Sequence, residues 1–187
     1  NGAKKWIGNG SIADVIVVWA RDLDDGQVKG FLVEKGTPGY DSRVITGKGL
    51  LRAVWQAEIA LTDVRVPAEN LLPGARSFRD CAAVLVTTRA VCAWGALGHA
   101  VAGYDAALTY AKRRTQFGKP LVSFQLIQDR LVKMLTKVTA MQLYCRRLAD
   151  LALAGWAEPT LAGLAKAHNT TTARVVLADV SLTELVK

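Results

Sequence analysis

Crosslinking and metal chemistry are close to excluded by what this sequence lacks. Its 187 residues include only three cysteines, Cys81, Cys92 and Cys145, and no CxxC pair. An odd number of scattered cysteines builds no disulfide framework, so reduced, buried thiols are expected. There are two histidines, His99 and His168, and no Cys, His and Asp cluster with metal-ligand spacing, so no metal site is expected. No apolar run reads as long enough to span a bilayer, and the opening NGAKKW lacks the apolar core and cleavage site of a signal peptide. The expectation is a chain with no membrane partner that is not exported. Its location would be cytoplasmic, or the mitochondrial matrix or peroxisome if the source is eukaryotic.

What is present is a globular composition, about half hydrophobic, with a formal net charge of +8. Such a chain can bury a sizeable core as one domain or two small ones. The charge is uneven: from Ala111 to Asp150, nine basic residues face two acids, Asp129 and Asp150, which is +7 of the +8. A positive field of this kind suits a polyanion, whether nucleic acid, an acidic membrane surface or a phosphate-bearing small molecule. Aromatic residues are not interleaved with the cations as a nucleic-acid stacking platform requires. No nucleic-acid partner is expected.

The first third reads as β structure. DVIVVWA (Asp14 to Ala20) and VKGFLVEK (Val28 to Lys35) flank the turn signal DLDDG and should pair as a hairpin. SRVIT (Ser42 to Thr46) and EIALTDVRVP (Glu58 to Pro67) follow, the second with Ile59, Leu61, Val64 and Val66 in alternation and a bulge or break near Thr62 and Asp63. The stretch PAENLLPG, Pro67 to Gly74, marks a boundary. We divide the chain there into a β domain, residues 1–72, and a helical domain, residues 73–187. The expected fold class is α+β: an antiparallel β domain, part of a barrel or sandwich, followed by an antiparallel helical bundle, incomplete at both ends.

Three helices are expected beyond the boundary. The first, from about Ser77 to Lys112, is apolar on most faces and so should be buried on most faces, by its own domain or by another subunit. Its Gly95, Gly98, Ala102 and Ala106 would permit close helix approach. The second carries Phe124, Ile127, Leu131, Met134, Val138, Met141, Cys145 and Leu148 at alternating steps of three and four, the seam of a bundle, with Ser123 as its N-cap. Gly155 should end it, and Pro159 should open a third helix reaching about Val186. Between the first two lies YAKRRTQFGKP, Tyr110 to Pro120. Lys112, Arg113 and Arg114 fall at the helix end, Gly118 suits a left-handed cap, and Pro120 forbids continuation.

Taken in order, NGAKKWIGNGSIAD, GFLVEKGTPG, DVRVPAENLLPG, the Arg89 helix, YAKRRTQFGKP and FQLIQDRLVKM resemble the acyl-CoA dehydrogenase and oxidase family of flavoproteins. WIGNG, VVWARD, LPGARSF and FQLIQDRLVKML are most similar to glutaryl-CoA dehydrogenases and short-chain acyl-CoA oxidases. The resemblance implies FAD as cofactor and α,β-dehydrogenation of an acyl-CoA thioester, with hydride passing to the flavin. It implies that Trp6 packs against the flavin ring and that Gly8 stands where a hydroxyl usually contacts it, leaving only the backbone. It implies that Arg114, Gln116 and Phe117 reach a neighbouring subunit's FAD, with Gln125 a further polar contact. Arg89 matches an arginine near the acyl-CoA channel, although a helix arginine in a bundle also serves as a structural ion-pair partner. Lys112 and Arg113 have no such match and are left to the helix dipole.

No catalytic residue is assigned: the family's usual glutamate position lies beyond Lys187, and the alternative position before Arg89 is Thr88. The implied partners are an acyl-CoA, a second copy in a dimer or tetramer with FAD at the interface, and an electron-transfer flavoprotein, or oxygen if the protein is an oxidase. A non-catalytic binding or assembly module of the same fold is the alternative reading.

Overall fold

The structure is a computed structural model that describes residues 1–156 and 159–184, the side chains of 181–184 excepted. The chain forms two compact units, Asn1–Ala82 and a second beginning at Ala83.

In the first unit, β1 (Gly2–Gly8), β2 (Val15–Arg21), β3 (Val28–Glu34), β4 (Tyr40–Val44) and β5 (Gln56–Leu61) form two antiparallel sheets, ordered β1-β5-β4 and β2-β3. Among the described residues they do not close into a barrel. The hairpin β2-β3 pairs from Val15↔Glu34 to Arg21↔Val28, as the turn signal between them implies. Lys29 hydrogen-bonds Asp22 at 2.6 Å and ion-pairs with Asp25 at 2.7 Å. Those bonds hold both carboxyl groups below their ordinary range and the ammonium above it.

Strand β5 stops at Leu61 because Asp63 turns to a positive φ of 50°, so Val64 and Val66 do not continue the ladder. Gly39 permits this corner: a Cβ there would lie 1.9 Å from the Thr62 carbonyl oxygen. The boundary segment is not a free linker. Gly30 of β3 holds it by two backbone hydrogen bonds, Gly30 N–H donating to Ala75 O at 3.0 Å and Leu72 N–H donating to Gly30 O at 2.9 Å.

The helices are α1 (Phe78–Arg113), α2 (Gln125–Leu153) and α3 (Pro159–Glu184). The expected end of α3 at Val186 lies outside the described residues. The α2 seam is buried from Ile127 through Leu131, Met134, Val138, Met141 and Cys145 to Leu148. Asn169 of α3 is wholly buried beside it and donates from Nδ2 to Ala93 O at 3.2 Å and Met141 O at 3.3 Å. One amide thereby ties α3 to both α1 and α2.

Several expectations require correction. Ser123 does not cap α2: it belongs to a 3-10 turn, Leu121–Ser123, and the cap residue is Phe124, which makes no side-chain capping bond. Gln128 reaches back instead, donating to Val122 O at 2.9 Å. Gly95, Gly98, Ala102 and Ala106 are exposed in this chain, and the close approach falls at Gly103, where a Cβ would meet Leu177 Cδ2 at 2.8 Å. Helix α1 is not buried on most faces by its own chain, since only 11% of its most apolar stretch is covered. By length and composition α1 could also cross a membrane, which revises the statement that no apolar run is long enough. Gly155 does end α2, at a φ of 75°, with Trp156 N–H closing back on Leu151 O at 2.9 Å.

Candidate functional site

The candidate residues divide between the two units. In the first, Trp6 lies inside β1. The register runs Lys4↔Ile59 and then Ile7↔Ala57, so Lys5 and Trp6 together oppose Glu58 in a β-bulge. Trp6 carries a positive φ of 63° and is 55% exposed. A bulge re-aims a side chain, and an aromatic residue in left-handed backbone is a strained one. Within the chain its ring meets the Lys5 ammonium, 5.6 Å from the ring centre, while Lys5 also pairs with Glu58 at 2.5 Å. Gly8 is exposed on the same strand, with nothing within 4 Å of where a Cβ would stand. The backbone there is open to a close-lying ligand.

In the second unit, the corner after α1 is a small hairpin. Strands β6 (Thr115–Gln116) and β7 (Lys119–Pro120) pair as Thr115↔Pro120 and Gln116↔Lys119. Phe117 and Gly118 form the two-residue loop at φ of 51° and 76°, the double positive φ of a type I′ turn. Gly118 is therefore left-handed as expected, but it serves the hairpin and not the helix end. The helix closes earlier, where Arg114 N–H donates to Tyr110 O at 2.9 Å.

This hairpin presents its side chains outward. Arg114 is held by its backbone on both sides, since its carbonyl also accepts from Leu121 N–H at 2.9 Å, yet its guanidinium has no partner among the described residues. Phe117 is 90% exposed. Gln116 is half-buried, and Gln125 opens α2 with an exposed side chain. Arg114, Gln116 and Phe117 are thus gathered on one corner, with Gln125 at the start of the next helix. Lys112 and Arg113 occupy the last turn of α1, as the dipole reading requires.

Arg89 lies in α1, half-buried, without an ion pair or hydrogen bond among the described residues. The structural ion-pair alternative finds no partner within them. Thr88 before it is turned to its own helix, donating to Leu85 O at 3.1 Å. No group of three or more possible metal ligands occurs among the described residues.

Two family models cover most of the sequence: the acyl-CoA dehydrogenase middle domain matches residues 1–64, and the acyl-CoA dehydrogenase C-terminal domain matches residues 78–181. The chain belongs to the acyl-CoA dehydrogenase family. Among its relatives, a cyclohex-1-ene-1-carbonyl-CoA dehydrogenase of Geobacter metallireducens is 37% identical over 185 residues, 96% of this chain and 48% of that protein. A short-chain specific acyl-CoA dehydrogenase of Megasphaera elsdenii is 37% identical over 144 residues, 75% of this chain and 38% of its own. A solved glutaryl-CoA dehydrogenase from Mycobacterium smegmatis in complex with FADH2 superposes with a TM-score of 0.93 at 33% identity, covering 98% of this chain and 47% of that one. The chain spans about half the length of the curated relatives it matches.

Two further residues, Phe124 and Lys119, sit beside those named from the sequence. Phe124 reads as the first step of the α2 seam, and Lys119 as one more cation. Their relation to the corner depends on the hairpin, whose signal was the pair Phe117-Gly118 between short extended pieces.

Proposed function

We propose that the protein is an FAD-dependent acyl-CoA dehydrogenase of the glutaryl-CoA dehydrogenase type. The observation that carries this reading is the family match together with an outward-facing corner whose donors suit a dinucleotide. FAD offers planar rings and a pyrophosphate. The unpaired Arg114 guanidinium can fork onto pyrophosphate oxygens, Gln116 and Gln125 supply amide groups, and Phe117 supplies an apolar face. Trp6, strained and exposed on its bulge, supplies a second aromatic face, and the open backbone at Gly8 admits a ring at close range. The side chains therefore fit the cofactor. Bound flavin would accept the substrate's β-hydrogen as hydride.

Arg114, Gln116 and Phe117, gathered on a corner that leaves the arginine unpaired and the phenylalanine exposed, are assigned to the FAD of a second copy, in a dimer or tetramer. Arg89, free of internal partners, is assigned to the acyl-CoA. Removal of the α-proton would need a carboxylate base, and none is assigned among the described residues. Electrons would leave to an electron-transfer flavoprotein; an oxidase would deliver them to oxygen.

The test is the complete protein with glutaryl-CoA, butyryl-CoA and an artificial electron acceptor. Acceptor reduction is expected, with carbon dioxide released from glutaryl-CoA; peroxide instead of acceptor reduction would indicate the oxidase. Inactivity with every acyl-CoA, in a colourless protein that takes up no FAD, would overturn the enzyme reading in favour of a binding or assembly module.

A further inference from the structure

The tip of the corner hairpin is exposed, yet two of its side chains meet one ring. Phe117 meets Phe124 edge to face, with ring centres 6.2 Å apart and planes at 78°. The Lys119 ammonium stands 4.5 Å from the centre of the same Phe124 ring. Phe124 itself is fixed from the other side. It packs against the helical core, its N–H donates to Leu121 O, and its carbonyl accepts from both Ile127 and Gln128. One half-buried ring thus holds two residues that the hairpin alone would leave loose. Phe117, in left-handed backbone and almost wholly exposed, has no other aromatic contact among the described residues. Lys119 has no carboxylate partner there either, so its charge is available.

We propose that Lys119 is a phosphate-binding residue of this corner and that Phe124 is the positioning residue that presents Lys119 and Phe117 together, as a cation beside an apolar face, to a nucleotide. This deepens the FAD reading and rests on it. A cation over a phenylalanine face at an exposed site is weakly held. A phosphate oxygen makes a stronger charge-assisted bond, so the ammonium can leave the ring for the ligand at little cost. What the ring supplies is order: the long lysine stem starts from one place and not from many, which reduces the entropy lost on binding.

The experiment is a double-mutant cycle in the complete protein, freed of flavin and titrated with FAD by quenching of flavin fluorescence. Lys119→Gln, at an exposed position, is expected to weaken FAD binding by about threefold to tenfold and to make its salt dependence shallower. Phe124→Leu is expected to weaken it similarly, Phe124→Tyr to restore it, and the Phe124→Leu/Lys119→Gln pair to bind no worse than about the weaker single variant. Unchanged affinity in Lys119→Gln, or effects of the two substitutions that simply add, would overturn the proposal. Arg114→Ala separates the two levels. If it weakens FAD binding while Lys119→Gln does not, only this inference fails; if neither does, the flavin reading of the corner fails with it.

Discussion

Helices α1 and α2 are both long and both contribute to one helical core, yet they invert each other. Helix α2 buries large side chains, Met134 and Met141 among them, and its remaining faces mix charged residues with exposed Leu126, Val132, Leu135 and Leu143. Helix α1 buries small ones, Ala93, Ala100, Gly103, Ala107 and Ala111, with Leu97 as the large exception, and exposes Val91, Trp94 and Val101. The difference is one of distance. A large seam residue fills the space between helix axes, whereas a glycine or alanine lets the neighbouring helix come to it, as Leu177 does at Gly103. The large residues on the outer side of α1 are only partly covered in this chain, Val91 at 65%, Trp94 at 48% and Val101 at 40% exposed. Fuller burial would have to come from another part of the protein or from a partner.

The comparison breaks most readily at Met141, which is fully buried. Met141→Ala is expected to cost about 2–5 kcal/mol, the usual range for emptying a packed core position, as measured by urea denaturation. A loss below about 1 kcal/mol would mean that the α2 seam is not the centre of the core.

The same inversion explains what could be read from sequence. In α2 the seam stands out because polar residues surround it, so the alternation from Ile127 to Leu148 survives unchanged into the structure. In α1 nearly every position is apolar, and the pattern carries no phase; Gly95, Gly98, Ala102 and Ala106 lie on the face left open in this chain, and the contact within it falls at Gly103. The hairpin β2-β3 was legible from its turn residues and branched runs. The β1 bulge was not, because two residues opposing one is a property of the pairing with β5 and leaves no mark in WIGN itself. The corner was legible as a cluster of candidate residues through its arginine, glutamine and phenylalanine, but its shape was not. Gly118 suits a helix cap and a type I′ turn equally, and only the pairing of Gln116 with Lys119 decides between them. The ring of Phe124 could not be assigned to the tip while the tip had no shape.

Cysteine chemistry sharpens the contrast between the two helices. Cys145 lies on the α2 seam, where burial pushes its thiol up despite the hydrogen bond from Asn169. Cys92 is exposed on α1. A thiolate is the reacting form, so a disulfide reagent at neutral pH is expected to modify Cys92 promptly and Cys145 only as the chain opens, with a rate that rises with denaturant. Equal labelling of both, followed by peptide mass analysis, would show that the α2 seam opens without unfolding.

The smallest expected effect is the most informative about α1. Trp94 is large, apolar and 48% exposed, and tryptophan at a core position would cost about 3–5 kcal/mol to truncate. Half exposed on α1, it has given up only part of its contact with water, so Trp94→Ser should cost this chain about 1–2 kcal/mol, short of the core value. The same substitution in the complete protein tests the other half of the argument. If the face is covered there by another segment or a second copy, the stability loss should rise severalfold, or the oligomer should dissociate on dilution in sedimentation experiments. A small effect in both would mean that α1 carries its apolar surface into water. A large effect in the chain alone would mean that the outer face is already packed and that the division of the two helices by residue size is mistaken.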